Sequence, residues 1–182
     1  MISLIVGCSS DDDGTNVPEP IEEQKVITTM NVTLTSPEGD VVTLSSYDED
    51  GNGPIEPETE VNGPLAANTI YSGEIELLNE IDDENVTTKI RNEADAFQFF
   101  FSQSGLEASF AYADTESDYN DENNTDPVGL SFAMSTQEMS SGTMTITLIR
   151  VNEKDAAGVA EGDITNADGE TDFEATFPIS IQ

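Results

Sequence analysis

Asp48-Glu49-Asp50-Gly51-Asn52-Gly53-Pro54-Ile55 sets oxygen-bearing side chains at alternate positions around a glycine. Calcium takes about six to eight hard oxygens, and alternate residues of a tight turn can point their carboxylates inward while glycine permits the bend. The spacing matches the opening of a calcium loop, with Asp48, Asp50 and Asn52 as ligands and Ile55 as the apolar position that follows. Thr59 stands where an EF-hand has its closing glutamate, and Pro54 and Pro57 forbid the exiting helix. Glu56, or Glu58 or Glu60, is left to close the shell. The pattern predicts calcium on Asp48, Asp50, Asn52 and Glu56; the same residues also suit an Asp/Asn/Gly-rich hairpin turn without metal.

Two further acidic stretches carry oxygen ligands at looser spacing. Within Asp163-Ile164-Thr165-Asn166-Ala167-Asp168-Gly169-Glu170-Thr171-Asp172, the side chains of Asp163, Asn166, Asp168 and Asp172 form a second, weaker candidate for one cation, or the wet side of a hairpin with an Asp-Gly turn. The run from Asp114 to Asp126 reads as a long solvated, mobile loop. Paired carboxylates also serve glycoside hydrolysis, yet with Asp+Glu at 38 some pair at a plausible distance is expected by chance.

The lone cysteine has different chemistry. Ile5-Val6-Gly7-Cys8 reads as a bacterial lipobox, in which the cysteine becomes the acylated N-terminus. Two or three acyl chains anchor a protein stably where one chain binds only marginally. Only residues 1–7 precede Cys8, without Lys or Arg. That is short of the basic region plus apolar run of about 7–15 residues that a secretory signal needs, so 1–7 read as the remnant of a longer signal. Residues 8–24 read as the acylated cysteine and a disordered acidic tether, too polar to fold and carrying Pro18 and Pro20. The partner implied is a membrane, through lipid.

Composition narrows the remainder. A formal net charge of -33 repels nucleic acid and anionic headgroups. The absence of histidine removes His-based zinc sites and Ser-His or Cys-His nucleophile pairs. With Cys8 acylated, thiol catalysis goes too, and no enzyme activity is expected.

From residue 25 to 182 the apolar residues recur with period two, as half-buried strands require. They are Val26, Thr28, Met30, Val32 and Leu34; Val42 and Leu44; Tyr71, Ile75 and Leu77; and Phe97, Phe99 and Phe101. Further along come Leu106, Ala108, Phe110 and Tyr112; Leu130, Phe132 and Met134; Met144, Ile146 and Leu148; and Phe173, Phe177, Ile179 and Ile181. Turn residues at Pro37-Glu38-Gly39, Ser104-Gly105 and Ser141-Gly142 separate strands. A helix is predicted over 83–94, capped by Asp83, with Val86 and Ile90 inward. Phe100, opposite Phe97, Phe99 and Phe101, marks a strand covered on both faces, or one that presents an aromatic to a ligand, with the core strand favoured. The class predicted is all-β: a single antiparallel β-sandwich domain of immunoglobulin-like or jelly-roll type, about eight strands with one short helix.

Val26 to Leu34, Asp48 to Pro54, Leu65 to Gly73, Gln98-Phe99-Phe100 and Gly162 to Asp172 together resemble a family of small Bacteroidota surface lipoproteins. That group is sometimes labelled with the type 1 periplasmic-binding fold, a two-lobed α/β architecture whose alternating helices this pattern lacks. Ser9-Ser10-Asp11-Asp12-Asp13 resembles the export signal that sends such lipoproteins to the outer face of the outer membrane. The resemblance implies a cell-surface, lipid-anchored protein of a Gram-negative bacterium that works beside a TonB-dependent receptor. Two functions remain open. One is a non-enzymatic binding or accessory module for a small molecule or glycan, shading into a structural or adhesive role. The other is a carbohydrate-active hydrolase.

Overall fold

The computed structural model describes residues 26–51, 53–120 and 124–182. Its strands are β1 (Thr29–Thr35), β2 (Val41–Tyr47), β3 (Glu58–Val61), β4 (Ile70–Asn79), β5 (Glu84–Asn85), β6 (Phe97–Ser104), β7 (Ala108–Tyr112), β8 (Ser131–Thr136), β9 (Ser140–Val151) and β10 (Gly169–Ile181), with one helix, α1 (Val86–Asn92). They form two sheets, one ordered β3-β2-β1-β4-β8-β7 with β5 attached to β4, the other β10-β9-β6. Every strand pair is antiparallel. A short parallel bridge from Leu65 to Ile181 ties the approach to β4 to the end of β10.

The alternating residues meet between the sheets as a sandwich demands. Met30, Val32, Leu34, Tyr71, Ile75, Leu77, Phe132 and Met134 share one buried cluster with Phe97, Phe99, Met144, Ile146, Leu148, Phe177, Ile179 and Ile181. A smaller cluster of Phe100, Ile149, Val151 and Val159 lies on the other face of β6 and β9. Val159 belongs to the 152–168 connection between β9 and β10, so that connection covers the strands, and Phe100 is core as its sequence predicts.

The element count and boundaries differ from expectation where side chains carry little apolar signal. Ten strands replace eight, because β3 (Glu-Thr-Glu-Val) and the two-residue β5 are held by backbone pairing rather than burial. The pairing of β5 also delays the helix. Asp83 sits at φ 56, and Asn85 caps α1 in its place, its Oδ1 accepting from the Thr88 N–H at 3.0 Å. Val86 and Ile90 are buried as their spacing requires. Ser104-Gly105 joins strands of different sheets rather than a hairpin. Ser141-Gly142 lies inside β9, not before it: a Cβ on Gly142 would stand 2.0 Å from the Ser104 carbonyl oxygen, so glycine serves close strand approach there rather than a turn.

Candidate functional site

β6 and β7 are the edge strands of their respective sheets, and the connection between them leaves a seam in which aromatic side chains gather. Phe101, Phe110, Ala111 and Tyr112 line a cleft of about 200 Å³ there, closed on one side by Glu161 and Gly162 from the 152–168 connection. Phe101 stacks on Phe110 at 5.6 Å and 25°, and meets Phe132 at 4.4 Å and Tyr112 at 6.0 Å. All three lining rings are half-buried, each keeping part of its surface open. Such rings supply apolar area at small entropic cost.

The floor of the cleft is fixed by hydrogen bonds. The Tyr112 hydroxyl donates to the Phe99 carbonyl at 2.7 Å and accepts from Gln98 Nε2 at 2.9 Å, while the same amide nitrogen donates to the Val159 carbonyl at 2.7 Å. Burial is the main cause that pushes the Tyr112 phenol up from 10.0 to about 12. Gly129, at φ 87, lets the strand entering β8 lie against this floor, since a Cβ there would come within 2.9 Å of Phe99 and 3.0 Å of Tyr112. Gln98 Oε1 is buried without a partner beside these groups.

Beyond the seam, the acidic 114–126 stretch is pinned rather than solvated in its described part. Asp114 is buried and accepts from the Gly129 N–H at 2.7 Å, the Ser131 N–H at 2.8 Å and the Tyr119 hydroxyl at 2.7 Å. Burial first, then the bond to Asp114, raises the Tyr119 phenol. Thr115 and Asp118 form a capping box around a 3-10 turn at Glu116–Asp118. Glu116 is 1% exposed and pairs with Lys154 at 2.8 Å, whose ammonium also donates to the Ala94 and Pro127 carbonyls at 2.6 and 3.1 Å. Burial lowers the Lys154 pKa against the opposing pull of Glu116. No sequence signal marks this pair, because a lysine in the 152–168 connection and a glutamate 38 positions earlier meet only through the fold.

The residues predicted to hold calcium are placed as follows. Asp48 is buried, and its Oδ1 accepts from the Asp50 N–H at 3.3 Å. Asp50 Oδ2 accepts from the Ile55 N–H at 3.3 Å, and its Oδ1 is buried without a partner. Gly53 leaves room for that carboxylate, since a Cβ would fall 2.0 Å from it. Glu56 is exposed, Glu58 and Glu60 lie on β3, and Asn52 lies outside the described residues.

In the second stretch, Asp163 accepts from the Thr165 N–H at 2.9 Å and caps a 3-10 turn at Ile164–Asn166. Hydrogen bonds from the Thr165 side chain and backbone hold its carboxyl below the usual carboxylate range. Asn166 donates to the Ala157 carbonyl at 2.7 Å, Asp168 is exposed, and Asp172 pairs with Arg150 at 3.3 Å. Among the described residues no three acidic side chains converge on one cation position. Cys8, Ser9, Ser10, Asp11, Asp12 and Asp13 lie outside the described residues.

Among the described residues no helix is long and apolar enough to cross a membrane. Comparison with protein-family models, curated proteins and solved structures finds no match.

Proposed function

We propose that this chain is a lipid-anchored, surface-exposed, non-enzymatic binding or accessory module of a Gram-negative outer membrane, linked to TonB-dependent nutrient uptake. The observation that carries the binding reading is the seam cleft: a fixed aromatic floor with one carboxylate on its rim, the arrangement that recognises a ring with an apolar face and a polar edge. With the chain at -33, the ligand is neutral or cationic. A glycosidase needs two carboxyl groups across the scissile bond, about 5 to 9.5 Å apart, whereas Glu161 is the single carboxylate lining this cleft among the described residues. That difference favours binding over hydrolysis.

The anchor rests on Cys8 and the address on Ser9 to Asp13, in line with the lipoprotein resemblance. Calcium belongs to the proposal as a stabiliser of the 48–56 loop, supported by the unpartnered Asp50 Oδ1. Two experiments test the reading. Cys8→Ala, made in the gene with its full signal, moves the protein from the detergent phase to the soluble fraction; unchanged membrane retention overturns the anchor. A calorimetric screen of neutral and cationic sugars and aromatic amines finds a ligand whose affinity falls about 10-fold or more in Phe110→Ala, as loss of a stacking ring requires. Turnover of the ligand instead of binding favours the hydrolase.

A further inference from the structure

A second depression lies on the outer face of the larger sheet, away from the seam. Asn31 and Thr33 of β1, Glu74 and Glu76 of β4, and Thr88 and Arg91 of α1 wall a groove of about 340 Å³. The register brings Asn31 opposite Glu76 and Thr33 opposite Glu74, so the two carboxylates stand side by side on one face, two residues apart.

Arg91 is the unusual member. In a chain with 38 carboxylates and 5 cations every guanidinium has many potential partners. Lys89 pairs with Glu93, Arg150 with Asp172 and Lys154 with Glu116, whereas Arg91 has no carboxylate of the described residues within ion-pair distance. Its guanidinium lies instead over the Tyr119 ring, 5.7 Å from the centroid. Tyr119 is itself fixed through its hydroxyl to the buried Asp114, which also holds the Ser131 N–H at the edge of the groove. The guanidinium thus lies over an anchored ring, and neither Glu74 nor Glu76 has a counter-cation among the described residues. One positive and two negative charges, all exposed, line one polar groove without an ion pair among the described residues.

We infer that this groove binds a small zwitterion, an amino acid or short peptide, whose carboxylate meets Arg91 and whose ammonium meets Glu74 and Glu76. Complementary charge at both ends satisfies all three groups, and a net-neutral ligand is not repelled by the acidic surface as an anion is. A guanidinium takes a carboxylate through two parallel hydrogen bonds, which fixes the ligand's direction in the groove. An uncharged polyol leaves the three charges uncompensated. The site is independent of the seam cleft, so either stands without the other.

Isothermal titration at low salt with the free amino acids and with Ala-Ala, its N-acetyl form and its C-amide tests this. The expected result is saturable binding of at least one unblocked zwitterion. Blocking either end of Ala-Ala, if it is the one bound, or the corresponding ends of the bound amino acid, weakens it about 10-fold or more. Arg91→Gln weakens the unblocked ligand by a similar factor but leaves the C-amide unchanged, and Glu76→Gln likewise weakens the unblocked ligand but leaves the N-acetyl form unchanged. Phe110→Ala leaves all of them unchanged. Absence of saturable heat up to about 10 mM, the weak end of specific binding, overturns the inference. So does equal affinity for blocked and unblocked forms. Should Arg91→Gln fail to fold, the Glu76→Gln and blocked-ligand arms decide alone.

Discussion

The loops at 48–56 and 114–126 are built from the same residue types and behave differently. In the first, Asp48 and Asp50 accept from backbone N–H groups of their own turn, one Asp50 oxygen is left without a partner, and Glu56 is exposed. In the second, Asp114 collects the phenol of Tyr119 from its own loop and two backbone N–H groups from the approach to β8, and Glu116 meets a buried ammonium. A carboxylate becomes a structural element when the fold brings donors to it from far along the chain. Where it meets only its own turn, it ties no distant segment into the fold.

The largest expected effect lies in the pinned loop. Lys154→Met removes the one cation paired, among the described residues, with a glutamate that is 1% exposed and whose Oε2 lacks a partner. Breaking a buried pair from one side costs about 3–5 kcal/mol, measurable as a fall in the denaturant midpoint. The double substitution Lys154→Met/Glu116→Leu should recover much of that loss, since it removes the uncompensated charge as well. If the single and double variants are equally unstable, the bonds to the Ala94 and Pro127 carbonyls matter more than the ion pair.

A smaller effect follows from the cleft floor. The Tyr112 phenol titrates at about 12 in the folded protein against 10.0 in the unfolded chain. The folded state therefore keeps a proton that the unfolded chain has lost. Stability present below pH 10 is lost as the pH rises from 10 to about 12, by roughly 2–3 kcal/mol. Tyr112→Phe should flatten this alkaline limb; an unchanged limb assigns it to other groups.

The smallest effect belongs to the 48–56 loop. With extracellular-type affinities of about 10⁻⁴ to 10⁻³ M, about 5 mM calcium adds roughly 1–2.3 kcal/mol of stability. The melting temperature should exceed that in chelator at matched ionic strength, and Asp48→Ala/Asp50→Ala should lose most of the gain. Equal melting temperatures would make both loops structural, which erases the contrast between them.

The same distinction explains what could be read from the chain in advance. Period-two burial marked Met30 to Leu34, Phe97 to Phe101 and Met144 to Leu148 as strands because each buried side chain reports directly on its own face of the sheet. The polar strands β3 and β5 lack that signal, and Gly142 resembled a turn because a close backbone approach and a turn both require a missing Cβ. The aromatic cleft was half legible. Phe101, Phe110 and Tyr112 stood out as strand residues, but their convergence depends on β6 and β7 lying in different sheets. Glu161 and Lys154, which pairs with Glu116, come from a long connection with no periodic pattern to place it.

The central claim, that the seam cleft is a binding site and not a catalytic one, is tested most directly by two-dimensional amide NMR on the soluble Cys8→Ala protein titrated with neutral and cationic ring-bearing ligands. Binding predicts saturable shifts concentrated at Phe101, Phe110, Ala111, Tyr112, Glu161 and Gly162, with the ligand recovered unchanged. Shifts confined to other parts of the molecule, or ligand consumed during the titration, would contradict it.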